Sequence, residues 1–369
     1  MKIGFDAKRA FNNNTGLGNY SRFILDALQR YVPEWDYLAY TPKVGKIKWN
    51  ESGNIAVRTP KKGYWRALWR TYSISKQLKQ EGVSIYHGLS NELPFGLKAN
   101  GIKSVVTIHD LIFLRYPSMY PFFDRLIYRV KFKLACAMAD CIVAVSEQTK
   151  RDIVQFYGTN PAKVKVIYQD CDESFHREFT PEIIQKTVST YQVSKPYILC
   201  VSTFTERKNQ LTLVKAFASW KQDVYELVLV GGKGKYQSQI EDYLSQHQIQ
   251  GVRIINNVSF QDLPALYQGA SLFVYPSVFE GFGIPIVEAL HSGIPVVAAT
   301  GSCLEEAGGE ACLYANPYDE TDLLSKMRYL LEQESAAEKL ERSRQGKMYV
   351  KRFAASQVAL NLKQLFINI

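Results

Sequence analysis

Phe279-Glu280-Gly281-Phe282-Gly283-Ile284-Pro285-Ile286-Val287-Glu288-Ala289-Leu290 reads as a loop that turns into a helix. The apolar run 272–275 just before it predicts a short buried strand. Pro285 suits the first turn of a helix, where a missing N–H leaves no bond unmade. Gly281 and Gly283 let the backbone come close to a ligand. A helix start behind such a loop presents unpaired N–H groups and a partial positive charge, which suits phosphate. Glu280 falls on the loop, and Glu288 falls one turn into the helix on the face of Ile284. Facing a phosphate, two carboxylates would repel it. They are better suited to accept hydrogen bonds from the hydroxyls of a sugar or a ribose. The plainer alternative is a capped, partly exposed helix start that binds nothing.

Strand, loop and helix in that order make one α/β unit, and the pattern extends in both directions. Strand candidates fall at 2–6, 37–41, 83–86, 103–108, 141–145 and 164–168, then at 197–202, 226–231, 252–255, 271–275 and 295–299. Helical patterns separate them, which predicts parallel sheets. A polar stretch over 170–196 breaks the rhythm before Tyr197-Ile198-Leu199-Cys200-Val201 restarts it. The tail from about Asp319 reads as consecutive helices. The 369 residues suit two domains, expected at 1–178 and 179–351, with a last helix over 352–369 packing back on the first. Two open sheets facing each other would form a central cleft, with ligands outside the carboxyl ends of the strands.

Composition narrows the class. The chain is 46% apolar and 22% charged, which excludes disordered, collagen-like and coiled-coil proteins. No run is long enough to span a membrane, and the N-terminus turns polar too soon for a signal peptide. A cytoplasmic protein is expected. The six cysteines form no C-x-x-C pair and lack a neighbouring His at zinc spacing, so reduced structural thiols are expected.

The net charge of +10 is unevenly placed: residues 1–178 carry +11 and residues 179–369 carry −1. Between Lys43 and Lys79 stand ten basic residues and one acid, Glu51. Trp65, Leu68, Trp69 and Tyr72 would form one apolar stripe there at helical spacing, among Lys61, Lys62, Arg66, Arg70 and Lys76. One reading is an amphipathic helix with its aromatics in the core. The other is a basic surface on anionic lipid headgroups. Nucleic acid is not expected, because no recognition motif accompanies the charge.

Further motifs close predicted strands. Arg207 and Lys208 follow strand 197–202 and open a helix, so their charges and its dipole converge on one anion. His109 closes strand 103–108, with Asp110 beside it either fixing the imidazole or capping the next segment. Gly16 and Gly18 stand in a loop after the first strand. A Rossmann dinucleotide loop would need a third glycine where this chain has Ser21.

Together these elements resemble the family 4 retaining glycosyltransferases of the GT-B fold. Glu280 to Ala289 resembles the family's E-x7-E element, and Ser202-Thr203-Phe204-Thr205-Glu206-Arg207-Lys208-Asn209 its G-T-x-E-P-R-K-N loop. Thr107-Ile108-His109-Asp110-Leu111 is similar to its T-x-H-D-L segment, and Thr15-Gly16-Leu17-Gly18-Asn19-Tyr20 to its N-terminal glycine loop. Val143-Ala144-Val145-Ser146-Glu147 and Asp262-Leu263-Pro264-Ala265-Leu266-Tyr267 also fit, in family order. One departure is visible: Thr205-Glu206 stands where the family commonly has Glu-Pro.

The resemblance implies roles. Arg207 and Lys208 would hold the diphosphate of a nucleotide sugar. Glu280 would contact donor-sugar hydroxyls and Glu288 the ribose. Backbone groups of Phe282, Gly283 and Ile284 would meet sugar and phosphate, and the backbone near Val258 the base. His109 would orient the donor sugar, while Gly16 and Gly18 would bring the first loop to the diphosphate and the acceptor. The second domain would bind donor and the first would bind acceptor. No Asp-x-Asp metal motif appears after a strand, so no metal or other cofactor is expected. GDP-mannose is the favoured donor and UDP-sugars the alternative, with a glycan or polyprenyl-diphosphate-linked acceptor. A non-catalytic sugar-nucleotide binder and an epimerase of the same fold are the readings from other classes.

Overall fold

The computed structural model describes residues 1–47, 49, 55–60 and 68–369. The chain divides into two compact units, one of Met1–Gln169 with Phe353–Ile369 and one of Asp170–Arg352. The division falls nine residues before the expected boundary at 178. Segment 170–178 belongs to the second unit because its own apolar residue goes there: Phe175 is fully buried, edge-on to Tyr267 at 5.3 Å.

The first unit holds seven strands, β1 (Lys2–Asp6), β2 (Asp36–Tyr40), β3 (Ile55–Arg58), β4 (Ile85–Gly88), β5 (Lys103–Ile108), β6 (Cys141–Ala144) and β7 (Val164–Val166). They lie all parallel in the order β3-β2-β1-β4-β5-β6-β7. The second unit holds six, β8 (Tyr197–Val201), β9 (Glu226–Val230), β10 (Val252–Ile255), β11 (Leu272–Tyr275), β12 (Val296–Ala299) and β13 (Leu313–Ala315). These are also parallel, in the order β10-β9-β8-β11-β12-β13. Helices cover both faces of such sheets, so strands read as unbroken apolar runs. Leu227, Val228 and Leu229 are fully buried for this reason. β3 and β13 were not expected from the sequence: they are partly buried edge strands of four and three residues, too short for their apolar residues to stand out as a run.

The order reverses between β1 and β4 in one sheet and between β8 and β11 in the other, and a crevice opens outside the carboxyl ends of strands at such a point. The closing helix Ala355–Ile367 joins the first unit, where Phe366 packs against Phe5 and His87 at 6.5 and 5.7 Å.

The aromatic stripe expected at 65–72 does not form one face. Trp65 lies outside the described residues, as do Lys61, Lys62, Tyr64 and Arg66. Trp69 is buried and donates its indole N–H to Gln77 Oε1 at 3.0 Å, whereas Leu68 and Tyr72 are exposed. The cause is local winding. Residues Trp69–Ser73 form a π turn, whose wider loop rotates the side chains off the 3.6-residue period. It also turns Arg70 inward, onto Asp6 at 2.5 Å and Glu92 at 2.6 Å.

Candidate functional site

In the second unit two loops are stitched together at the switch point. After β8 the chain makes a tight turn at Glu206–Lys208 and passes through Asn209 in the left-handed conformation, φ 59°. The Asn209 amide donates to Pro276 O at 3.2 Å and Pro317 O at 2.7 Å. Val278 N–H in turn donates to Arg207 O at 2.9 Å. The basic pair is thus fixed against the loop that carries Glu280.

Three donors and a second cation converge on one oxygen of Glu280. Its Oε1 accepts from Lys208 Nζ at 2.6 Å, Ser277 Oγ at 2.5 Å and Tyr275 Oη at 3.1 Å, and pairs with the Arg207 guanidinium, whose Nη1 lies 2.7 Å away. Burial works against the charged carboxylate, but Lys208 and Arg207 outweigh it and hold the group down at about 2. Among the described residues these contacts leave Oε2 as the atom to receive a ligand hydroxyl. Lys208 spends two N–H groups on Glu280 and on Tyr275 Oη at 2.6 Å, and a third remains for an anion. Arg207 also donates to Phe279 O. Two cations and one anion leave a net positive site.

The Ile284–His291 helix begins beside this cluster. Gly283 precedes it with φ 130°, and a Cβ there would sit 3.0 Å from Leu304 Cδ2 and 3.1 Å from the Ala307 Cβ. Only glycine lets the chain enter the helix here. The Cys303 thiol braces the loop, its single S–H shared between Glu280 O at 3.1 Å and Phe282 O at 2.9 Å. Gly281 lies on the loop between them. Glu288 stands one turn on and accepts from Tyr267 Oη at 2.8 Å. Burial pushes its carboxyl up to about 7 in spite of that bond. The two glutamates therefore differ in kind: one is a fixed carboxylate, the other titrates near neutrality. Val258 stands in the loop after β10, whose Ile255 O is tied to Gly231 N at 3.1 Å.

In the first unit, His109 ends β5. Its Nε2 lies 2.8 Å from Leu89 O, which can only accept, so Nε2 carries the proton and Nδ1 is an acceptor. Burial lowers its pKa to about 4, so the imidazole is neutral at physiological pH. Tyr20 from the Gly16–Tyr31 helix packs edge-on against it at 4.6 Å. Asp110 Oδ1 accepts from Ile112 N–H at 3.2 Å, which is the capping role, while Leu89 fixes the imidazole. Gly16 and Gly18, expected on a loop, are the first and third residues of the Gly16–Tyr31 helix, and their surroundings diverge. Gly16 is exposed with open space around it; Gly18 is buried, and a Cβ there would lie 1.7 Å from Asn13 O. Gly18 lets the first turn of the helix pack against the Asn13 carbonyl.

The structure places Arg207, Lys208, Glu280, Gly281, Phe282, Gly283, Ile284 and Glu288 together in the second unit, and Gly16, His109 and Asp110 in the first. Tyr275, Ser277, Tyr267 and Cys303 escaped the sequence reading. The first, second and fourth touch the loop from positions that have no motif spacing.

The six cysteines are free and buried. Asp170, Cys171, His176 and His291 do bring metal-type donor atoms within 4.8 Å of one another. Their geometry is that of a carboxylate between two imidazoles. His176 and His291 stack at 3.9 Å, and their Nε2 atoms lie 3.4 and 3.0 Å from the two Asp170 oxygens.

Two all-parallel α/β units of this topology define the GT-B fold. A glycosyltransferase from Rickettsia africae superposes with a TM-score of 0.79 at 19% identity, covering 99% of this chain and 97% of that one. Anabaena Alr3699/HepE, solved with UDP and glucose, gives 0.78 at 18% identity over the full length of both chains. Residues 183–347 match the family described as Glycosyl transferases group 1, and residues 21–173 match Glycosyltransferase Family 4. The chain belongs to this glycosyltransferase family. It is 30% identical over 241 residues to O-antigen chain mannosyltransferase B of Escherichia coli, covering 64% of this chain and 62% of that protein. It is 29% identical over 227 residues to O-antigen chain mannosyltransferase RfbU of Salmonella typhimurium, covering 61% and 60%. The matched region spans about three fifths of the length of these relatives.

Proposed function

We propose that the protein is a retaining glycosyltransferase that moves a hexose from a nucleotide sugar to a hydroxyl of a glycan or polyprenyl-diphosphate-linked acceptor. The assembly of cell-surface polysaccharide or O-antigen is the setting, and GDP-mannose is the donor. One observation carries the reading: a buried carboxylate clamped between Arg207 and Lys208 at the start of the Ile284–His291 helix. The names of the two mannosyltransferase relatives favour mannose.

The donor diphosphate sits on Lys208, Arg207 and the helix start. When the glycosidic C–O bond breaks, the electron pair goes to the phosphate oxygen, and these groups stabilise the growing charge. The departing phosphate takes the acceptor's hydroxyl proton, and attack on the face it leaves keeps the anomeric configuration. Glu280 Oε2 and His109 Nδ1 accept hydrogen bonds from donor-sugar hydroxyls. Glu288 takes the ribose, the backbone of Phe282, Gly283 and Ile284 takes sugar and phosphate, and the backbone near Val258 takes the base. Gly16 marks the helix start of the first unit that meets the acceptor.

The basic pair does the work of a divalent ion, so turnover in excess EDTA should equal turnover without it. The protein works in the cytoplasm, and region 43–79 adds positive charge toward an anionic membrane. No nucleic acid is a partner.

The test is a thermal-shift panel of GDP-mannose, UDP-glucose, UDP-galactose, UDP-N-acetylglucosamine and NAD on wild type and Glu288→Ala. A ligand at 100 times its dissociation constant stabilises by about 2.7 kcal/mol. Stabilisation by GDP-mannose that Glu288→Ala loses supports the reading; stabilisation by NAD alone overturns it. A UDP-sugar is the second reading, favoured by the structural likeness to a protein solved with UDP and glucose. Product analysis without acceptor separates transfer from epimerisation and from binding alone.

A further inference from the structure

We propose that the outward face of the Phe122–Met138 helix is a docking surface for an anionic lipid bilayer. The helix has 17 residues and two apolar faces. Its inner face is ordinary: Ala135 and Cys136 are buried, and Phe132 and Tyr128 pack edge-on to Phe113 at 5.4 and 5.7 Å. The other face points away from the core. Phe122, Phe123, Leu126, Ile127, Val130 and Leu134 are 64, 75, 51, 49, 58 and 38% exposed. At about 100° per residue these six fall within an arc of about 140°, opposite the buried side. A surface helix of a globular protein needs one apolar stripe, and large apolar side chains gathered on a second stripe mark a binding surface.

Charge selects the partner. The helix carries Arg125, Arg129, Lys131 and Lys133 against Asp124. Arg129 borders the exposed stripe on one side, Lys133 falls inside it between Phe122 and Leu126, and Lys131, which also pairs with Glu92 at 3.6 Å, borders it on the other. Arg125 lies over the Phe122 ring at 5.5 Å. Apolar residues between long basic side chains fit the boundary of acyl chains and anionic headgroups, with the cations reaching up to the phosphates. Pairing this face with a second copy of itself would instead bring the same cations together. Among the described residues no helix is long and apolar enough to cross a membrane, so this one lies on the surface. The position differs from region 43–79, and the helix holds none of the proposed donor-site residues, so either reading can fail alone.

The experiment is co-sedimentation of the full chain with phosphatidylcholine vesicles, with and without roughly a third phosphatidylglycerol. Wild type should sediment with the anionic vesicles and stay in solution with neutral ones. Phe123→Ser combined with Ile127→Ser should weaken binding at least about tenfold, because two buried apolar side chains are lost at the interface. Arg129→Glu combined with Lys133→Glu should do the same, and carries the test if the first variant does not fold. Stabilisation by GDP-mannose, and the melting temperature, should match wild type in both. Wild type left in solution with anionic vesicles overturns the proposal, as does sedimentation of both variants like wild type. A wild-type dimer that the serine variant splits, without lipid binding, overturns it in favour of self-association.

Discussion

Glu280 and Glu288 are eight positions apart, yet their surroundings drive them in opposite directions. Glu280 stays ionised because Lys208 and Arg207 outweigh its burial, whereas Glu288 has only the Tyr267 hydroxyl against the same burial. Glu280→Gln keeps the shape and removes the charge. It should cut turnover about a hundredfold while GDP still binds, since the cations lose a counter-ion and keep their places; steady-state rates and calorimetry check both parts. For Glu288 the sign is the reverse of an ion-paired acid. Its raised pKa favours the protonated folded state, so its contribution to stability is full below the ordinary carboxylate range and is lost as pH rises toward about 7. Donor affinity should run the other way, rising between about pH 6 and pH 8 as the carboxylate forms and gains strength as an acceptor. Isothermal titration across that interval, repeated on Glu288→Gln, should show the rise only in wild type.

At the scale of elements, the two glycines in the first turn of the Gly16–Tyr31 helix give opposite expectations. Gly18→Ala forces a methyl group onto the Asn13 carbonyl, so either the helix that holds Gly18 or the chain at Asn13 must shift. A loss of about 1–3 kcal/mol is expected by urea denaturation. Gly16→Ala meets open space and should change stability by less than about 0.5 kcal/mol, leaving any effect on turnover to the site itself. The π turn at Trp69–Ser73 shows how one extra residue per turn defeats a periodicity argument. Its neighbours in sequence looked like one stripe, and the structure separates Trp69 from Leu68 and Tyr72.

At the scale of the whole molecule, the chain returns to where it began. The Ala355–Ile367 helix buries Val358, Leu362 and Phe366 in the first unit, more than 180 residues after Gln169 left it. Leu362→Ala should cost about 2–5 kcal/mol, read as a lower urea midpoint. The Asp170 network ties the start of the second unit to the end of the Ile284–His291 helix. Asp170→Asn should destabilise by about 1–3 kcal/mol, because two imidazoles lose a buried charged acceptor. Burial opposes the Asp170 carboxylate, yet His176 and His291 hold it at about 2, while Asp170 raises His176. The Asp170 contribution is present above the ordinary carboxylate range and lost as pH falls through about 2. The His176 contribution is present below the ordinary imidazole range and lost as pH rises through its raised value.

The amino-acid sequence by itself determined the parallel α/β class, most of the central strands and the loop-to-helix element from Phe279 to Leu290. These depend on local quantities: apolar runs long enough to be buried on both faces, and glycines and a proline at a helix start. It also placed Arg207, Lys208, Glu280 and His109 after strands and Glu288 on the helix that follows, because motif spacing is legible in the chain itself. Only the tertiary structure decided which oxygen of Glu280 is occupied, that Tyr275, Ser277 and Cys303 brace its loop, and that Leu89 sets the His109 tautomer. It alone moved the boundary to residue 169 and added the thin edge strands β3 and β13. It alone turned the apolar stripe of the Phe122–Met138 helix outward. Each of these depends on contacts between residues far apart in the chain, whose energies appear only once the packing brings them within a few ångströms.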